Sequence, residues 1–64
     1  MNRIKECRLK KLKTQKEVGE AVGLSKMAIS HYENGRREPK LKTWEKLAEY
    51  FGVSVVYLMG IEWR

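Results

Sequence analysis

Residues 14–35 read TQKEVGEAVGLSKMAISHYENG, and the spacing of their punctuation decides the fold. Thr14 followed three residues later by Glu17 is the signature of a capping box, in which a hydroxyl and a carboxylate satisfy amide protons that have no partner inside the helix. Ser25 offers the same service to a second helix. Gly23 and Gly35 fall where each helical pattern ends, and glycine accepts the left-handed conformation that closes a last turn. The second helix of the chain therefore runs from about Gln15 to Val22, and the third continues to Asn34. Only the corner around GLSK separates them. Two short helices joined by so tight a Gly-containing turn form a helix-turn-helix. Gly19 fits that reading: a glycine in mid-helix costs roughly 0.5 to 1 kcal/mol relative to alanine, which is sensible where another backbone presses close.

The same signals extend outward. Asn2 and Ser54 can cap a first and a fifth helix, Gly52 and Gly60 end the fourth and fifth, and Pro39 keeps Glu38 out of helical geometry between the third and fourth. In the fourth segment Leu41, Trp44, Leu47, Ala48 and Phe51 recur at helical spacing. They are expected to meet Ile4 and Cys7 of the first helix, Val18 and Val22 of the second, Leu24 of the corner, and Ile29 and Tyr32 of the third, with Val53 and Leu58 closing the core. No segment alternates apolar and polar residues for long. The expectation is an all-α, compact five-helix bundle, with residues 1–64 forming a single domain.

Composition narrows the function. A chain of 64 residues is near the lower size at which a core can be buried without staples, so a large catalytic cleft is not expected. Fourteen Lys and Arg against eight Asp and Glu give a net charge of +6, which attracts polyanions: nucleic acid or an acidic membrane face. Mean hydropathy of −0.60 indicates a surface that is largely ionic. Cys7 is the one cysteine, so no intramolecular disulfide can form; it reads as a small core hydrophobe in a protein suited to the reducing cytoplasm. The start, MNRIKECRLKKL, lacks the apolar run of a signal peptide, and no long apolar span crosses a membrane. One Cys and one His cannot supply four metal ligands. No paired carboxylates share an outward face and no Gly-rich phosphate loop follows a strand, so neither an enzyme, a cofactor nor a small-molecule ligand is expected.

The stretch TQKEVGEAVGLSKMAISHYENGRREP resembles the helix-turn-helix of Cro and phage-repressor (lambda-repressor-like) bacterial regulators, with its T-Q start, G-[VLI]-S turn, I-S and E-x-G end. Upstream, Ile4 and Arg8 match that family's first helix; downstream, LAEYFGVSVVYLMG is similar to its last two. The sequence departs from the family at Gly19, usually Ala, at Leu12, where Gly or Asn often ends the first helix, and at Val56, commonly acidic. The resemblance implies a DNA-binding transcription regulator, most naturally a repressor. An antitoxin-like module that binds a partner protein as well as operator DNA is the alternative.

On a wheel of about 100° per residue with Ile29 and Tyr32 inward, the third helix turns Met27, Ser30, His31 and Asn34 outward and leaves Lys26 in the exposed first turn. The resemblance makes it the recognition helix, whose width fits the major groove. Lys26 can donate to guanine, Met27 can pack on a thymine methyl, and Ser30 and His31 can bond to base edges or to phosphate. Gln15 and Ser25, at helix starts, and Asn34, Arg36, Arg37 and Lys40 are the expected contacts to the DNA backbone. The direction of Lys10, Lys11 and Lys13 is open. Arg8 and Glu33 are implied, by the family, to form a structural ion pair. Val55, Val56, Tyr57, Met59, Ile61 and Trp63 are more apolar side chains than the foot of the bundle can bury, so some form a patch for a second copy or a partner. Through this end the family commonly dimerises, matching a two-fold related operator.

Overall fold

In the computed structural model, which describes residues 2–61, the chain folds into five α-helices. They are α1 (Ile4–Lys10), α2 (Gln15–Val22), α3 (Lys26–Asn34), α4 (Leu41–Phe51) and α5 (Val55–Met59), with no strand among the described residues. The boundaries expected for α2 and α3 are the ones observed. Thr14 Oγ1 accepts the Glu17 N–H at 3.0 Å, and the Glu17 carboxylate accepts the Thr14 N–H at 2.8 Å, completing the capping box. That backbone hydrogen bond holds the Glu17 carboxyl below the usual carboxylate range. Its stabilising contribution is therefore present above that range and is lost as the pH falls through the lowered value. Ser25 and Ser54 cap α3 and α5 by accepting from Ala28 and Tyr57. Asn2 acts one residue further out than an N-cap: its Oδ1 accepts the Ile4 N–H at 3.0 Å while its Nδ2 donates to Tyr32 O at 2.8 Å, tying the chain start to α3.

The core consists of Ile4, Cys7, Val18, Val22, Ile29, Tyr32, Trp44, Leu47, Ala48 and Leu58. Burial pushes the Cys7 thiol up from its ordinary value, as suits a core residue. One expected core position needs correction. Leu41, read as a core position, is 66% exposed because it stands on the first turn of α4. Leu24, Phe51 and Val53 do pack against the core, each half-buried at its rim. None of these helices is long enough to persist alone in water, so each depends on burying its apolar face.

α2 and α3 pack against one another more extensively than any other pair, and Gly19 sets how closely. A β-carbon built at Gly19 would lie 2.6 Å from the carbonyl oxygen of Leu24 and 3.2 Å from the backbone of Ser25. The Gly19 carbonyl in turn accepts the Leu24 N–H at 2.7 Å. Alanine would require the Leu24 carbonyl to retreat, and a branched side chain would force the corner open. Gly19→Val is expected to cost roughly 1 to 3 kcal/mol, read from urea melts. Wild-type stability in that variant would mean that the corner is not set by backbone contact.

Candidate nucleic-acid interface

The outward side of α3 begins at its N-cap. Lys26 and Met27 follow Ser25 directly and are exposed, Met27 by 65%, while Ile29 and Tyr32 on the opposite side are buried. Asn34 is exposed, and its Nδ2 donates to Ser30 Oγ at 3.5 Å. Ser30 and His31 are half-buried rather than fully outward. Beyond the left-handed Gly35 the chain doubles back on the last turn, where Arg36 N–H and Arg37 N–H donate to the His31 carbonyl at 2.9 and 3.4 Å. The exposed side is thus Lys26, Met27 and Asn34, with Ser30 half-buried between Lys26 and Asn34 and His31 at its edge.

Cations border both ends of that side. Around the start of α2, Arg8, Lys13, Thr14, Gln15, Lys16 and Lys26 line a cleft of about 520 Å³. The first amides of a helix, with the positive end of its dipole, favour an anion there. Lys13 and Lys16 belong to no motif in the sequence; what marks them is their place on either side of the Thr14 cap. The neighbouring lysines go elsewhere: Lys10 pairs with Glu6 at 3.6 Å, and Lys11 lies 5.0 Å from the centre of the Tyr50 ring. At the other end of α3, Arg36 and Arg37 are exposed on the loop to α4, as is Lys40 just before that helix. Arg36 and Arg37 share a cleft of about 560 Å³ with Glu38, Met59 and Ile61, which brings the basic loop beside the C-terminal apolar residues.

Behind the exposed side lies the ion pair. Glu33 Oε2 accepts from Arg8 Nε at 2.6 Å, Glu33 Oε1 accepts from Arg8 Nη2 at 3.2 Å, and Arg8 Nη1 donates to Lys13 O at 2.9 Å. Gln15 Nε2 also donates to Glu33 Oε1, at 3.0 Å. Gln15, expected to face the DNA backbone, therefore gives one amide proton to the interior. Glu33 joins α1, α2 and α3 through one carboxylate, and Arg8 adds the turn after α1.

Of the C-terminal patch, Val56 and Ile61 are exposed, whereas Val55, Tyr57 and Met59 are half-buried against the core. Trp63 lies outside the described residues. Arg3 explains how Tyr57 is held: its Nη1 donates to Tyr57 O at 2.6 Å, and its guanidinium lies 4.3 Å from the ring centre. This arrangement closes the end of α5 across 54 residues of sequence, and no local signal marks it.

Two helices at a close corner, the second presenting a side between cationic borders, match the profile described as Helix-turn-helix over residues 4–58. The chain belongs to the helix-turn-helix family. This helix-turn-helix chain is 36% identical over 59 residues to the cryptic phage CTXphi transcriptional repressor RstR of Vibrio cholerae, covering 92% of itself and 53% of that protein. It is 40% identical over 58 residues to the HTH-type transcriptional regulator ImmR of Bacillus subtilis, covering 91% of itself and 46% of ImmR. Among solved structures it is similar to the P22 c2 repressor in complex with a synthetic operator. That likeness has a TM-score of 0.88 and 32% identity, over 94% of this chain and 91% of the other. The fold is therefore lambda-repressor-like, as the sequence resemblance implied. These relatives are named as repressors or transcriptional regulators. The helix-turn-helix chain spans about half the length of the curated relatives it matches.

Proposed function

We propose that this chain is a DNA-binding domain that recognises a specific double-stranded operator through α3 in the major groove, acting as a bacterial or phage transcriptional regulator, most naturally a repressor. The observation that carries the reading is the uncommitted side of α3 with cations at both of its ends, on a fold shared with a repressor solved on operator DNA. Lys26, Met27, Ser30 and His31 read base edges, while Gln15, Ser25, Asn34, Arg36, Arg37 and Lys40 hold the backbone, joined by Lys13 and Lys16. No helix among the described residues is long and apolar enough to cross a membrane. The chain's place of action would be the cytoplasm.

Val56 and Ile61 are exposed, Ile61 beside the basic loop, and this favours a second copy of the chain on adjacent half-sites. Two recognition helices would then be spaced by about 34 to 36 Å. Size-exclusion chromatography tests this against the antitoxin-like alternative: a tight complex with a different protein in the absence of DNA would favour the alternative.

Selection of bound duplexes from a random pool supplies the operator and the half-site spacing. On that duplex, Lys26→Ala should change the preference at one base pair by roughly 1 to 3 kcal/mol. Arg36→Ala should weaken binding to all sequences alike and reduce the salt slope by roughly 1. Equal losses on every sequence from the lysine change would remove Lys26 from the base-reading set.

A further inference from the structure

His31 stands out among the side chains of α3. Its Nδ1 is sealed from solvent, and among the described residues no group makes a hydrogen bond to it. The residue as a whole is half-buried and Nδ1 is its buried nitrogen, so Nε2 is the ring atom left for a ligand. A neutral imidazole carries one N–H and one bare nitrogen, and the hydrogen bonds of the two positions decide which is which. An orphaned N–H is the rarer and costlier of the two to bury, because a bare lone pair leaves no proton stranded. The cationic loop residues Arg36 and Arg37, whose backbone amides already bind the His31 carbonyl, add no acceptor at Nδ1.

We propose that His31 presents DNA with one donor, Nε2–H, and so specifies a base edge bearing an acceptor: a purine N7, guanine O6 or thymine O4. This rests on the reading of α3 as the recognition helix. The exocyclic amines of adenine and cytosine would set donor against donor at that position, so a base pair that turns its amine toward His31 is selected against. His31 thereby differs from Ser30, whose hydroxyl both donates and accepts, and resembles Lys26 in offering the base edge a donor alone.

The protein contains a single histidine, so imidazole signals from uniformly 15N-labelled protein need no assignment. Long-range proton–nitrogen spectra at neutral pH should show a bare Nδ1 and a protonated Nε2. A protonated Nδ1, or averaging between the two tautomers, overturns the proposal without reference to DNA. A second arm uses the duplex selected from the random pool, replacing each purine of a half-site in turn by its 7-deaza analogue, each guanine also by 2-aminopurine, which lacks O6, and each thymine by 4-thiothymine. One replacement should weaken wild-type binding roughly two- to tenfold and leave His31→Ala unaffected, with His31→Gln, which retains a donor, keeping part of the loss. If Lys26→Ala shifts base preference but no acceptor replacement is coupled to His31, the proposal fails while the reading of α3 stands. If neither residue affects base preference, the assignment of α3 falls first and takes the proposal with it.

Discussion

Glu33→Ala is expected to remove roughly 3 to 5 kcal/mol of folding stability, the largest loss from any single polar substitution in this chain. The carboxylate side chain is 2% exposed and the facing Arg8 side chain 11%, so neither is screened by much water. Arginine cannot shed its proton to escape the mismatch. Removing Glu33 therefore strands a buried guanidinium, left with the Lys13 carbonyl as its remaining partner, and releases Gln15 as well. At the usual 0.05 to 0.15 kcal/mol per residue, 64 residues carry about 3 to 10 kcal/mol in all. The alanine variant thus stands at the edge of unfolding, with a melting temperature lower by at least about 12 °C. Glu33→Gln keeps acceptors for Arg8 without the charge and should melt between the two. Replacing both partners, Arg8→Met with Glu33→Leu, should be less damaging than either single change, because no charge is left unpaired. DNA affinity should fall only as far as folding does. A Glu33→Ala protein that melts normally but no longer binds would move Glu33 from the scaffold to the DNA-contacting surface.

Helix boundaries were legible because caps are local. Thr14 with Glu17, Ser25, Ser54 and the glycines each act within one turn, so a few residues of sequence contain the whole interaction. Periodicity likewise identified which face of α4 is apolar, but not whether another element reaches far enough along its axis to cover Leu41. Longer-range choices left no trace. Arg3 closing α5 and Gln15 donating to Glu33 depend on where distant elements dock, and the positions of Lys13 and Lys16 in one cleft depend on the turn between α1 and α2. Leu12 lies between these cases. It adopts a left-handed φ of 60° with its side chain exposed, a conformation that costs an L-residue roughly 1 to 2 kcal/mol. The departure from Gly or Asn at this position is visible in the sequence; that the chain keeps the left-handed turn despite it is visible only in the structure.

Ile29→Ala should cost roughly 2 to 5 kcal/mol, and its comparison with Met27→Ala tests which side of α3 belongs to the core. Ile29 is fully buried between α3 and the rest of the bundle, and truncation leaves a cavity directly beneath the exposed side. A helix of nine residues cannot hold its shape without that anchorage, so amides of α3 should exchange hydrogen faster than those of α4. Met27, two residues away and largely exposed, has little packing to lose, and its replacement should leave stability within about 0.5 kcal/mol. The effects on DNA should be the reverse in kind. In conditions where both proteins remain folded, Met27→Ala should alter selection at one base pair. Ile29→Ala should loosen every contact made by α3, because the whole helix shifts on its bed. Urea melts give the first comparison and binding to single-base variants of the selected operator gives the second. Were Met27→Ala the more destabilising, or Ile29→Ala to alter one base preference while melting normally, α3 would be turned the other way about and its exposed side would not be the surface that meets DNA.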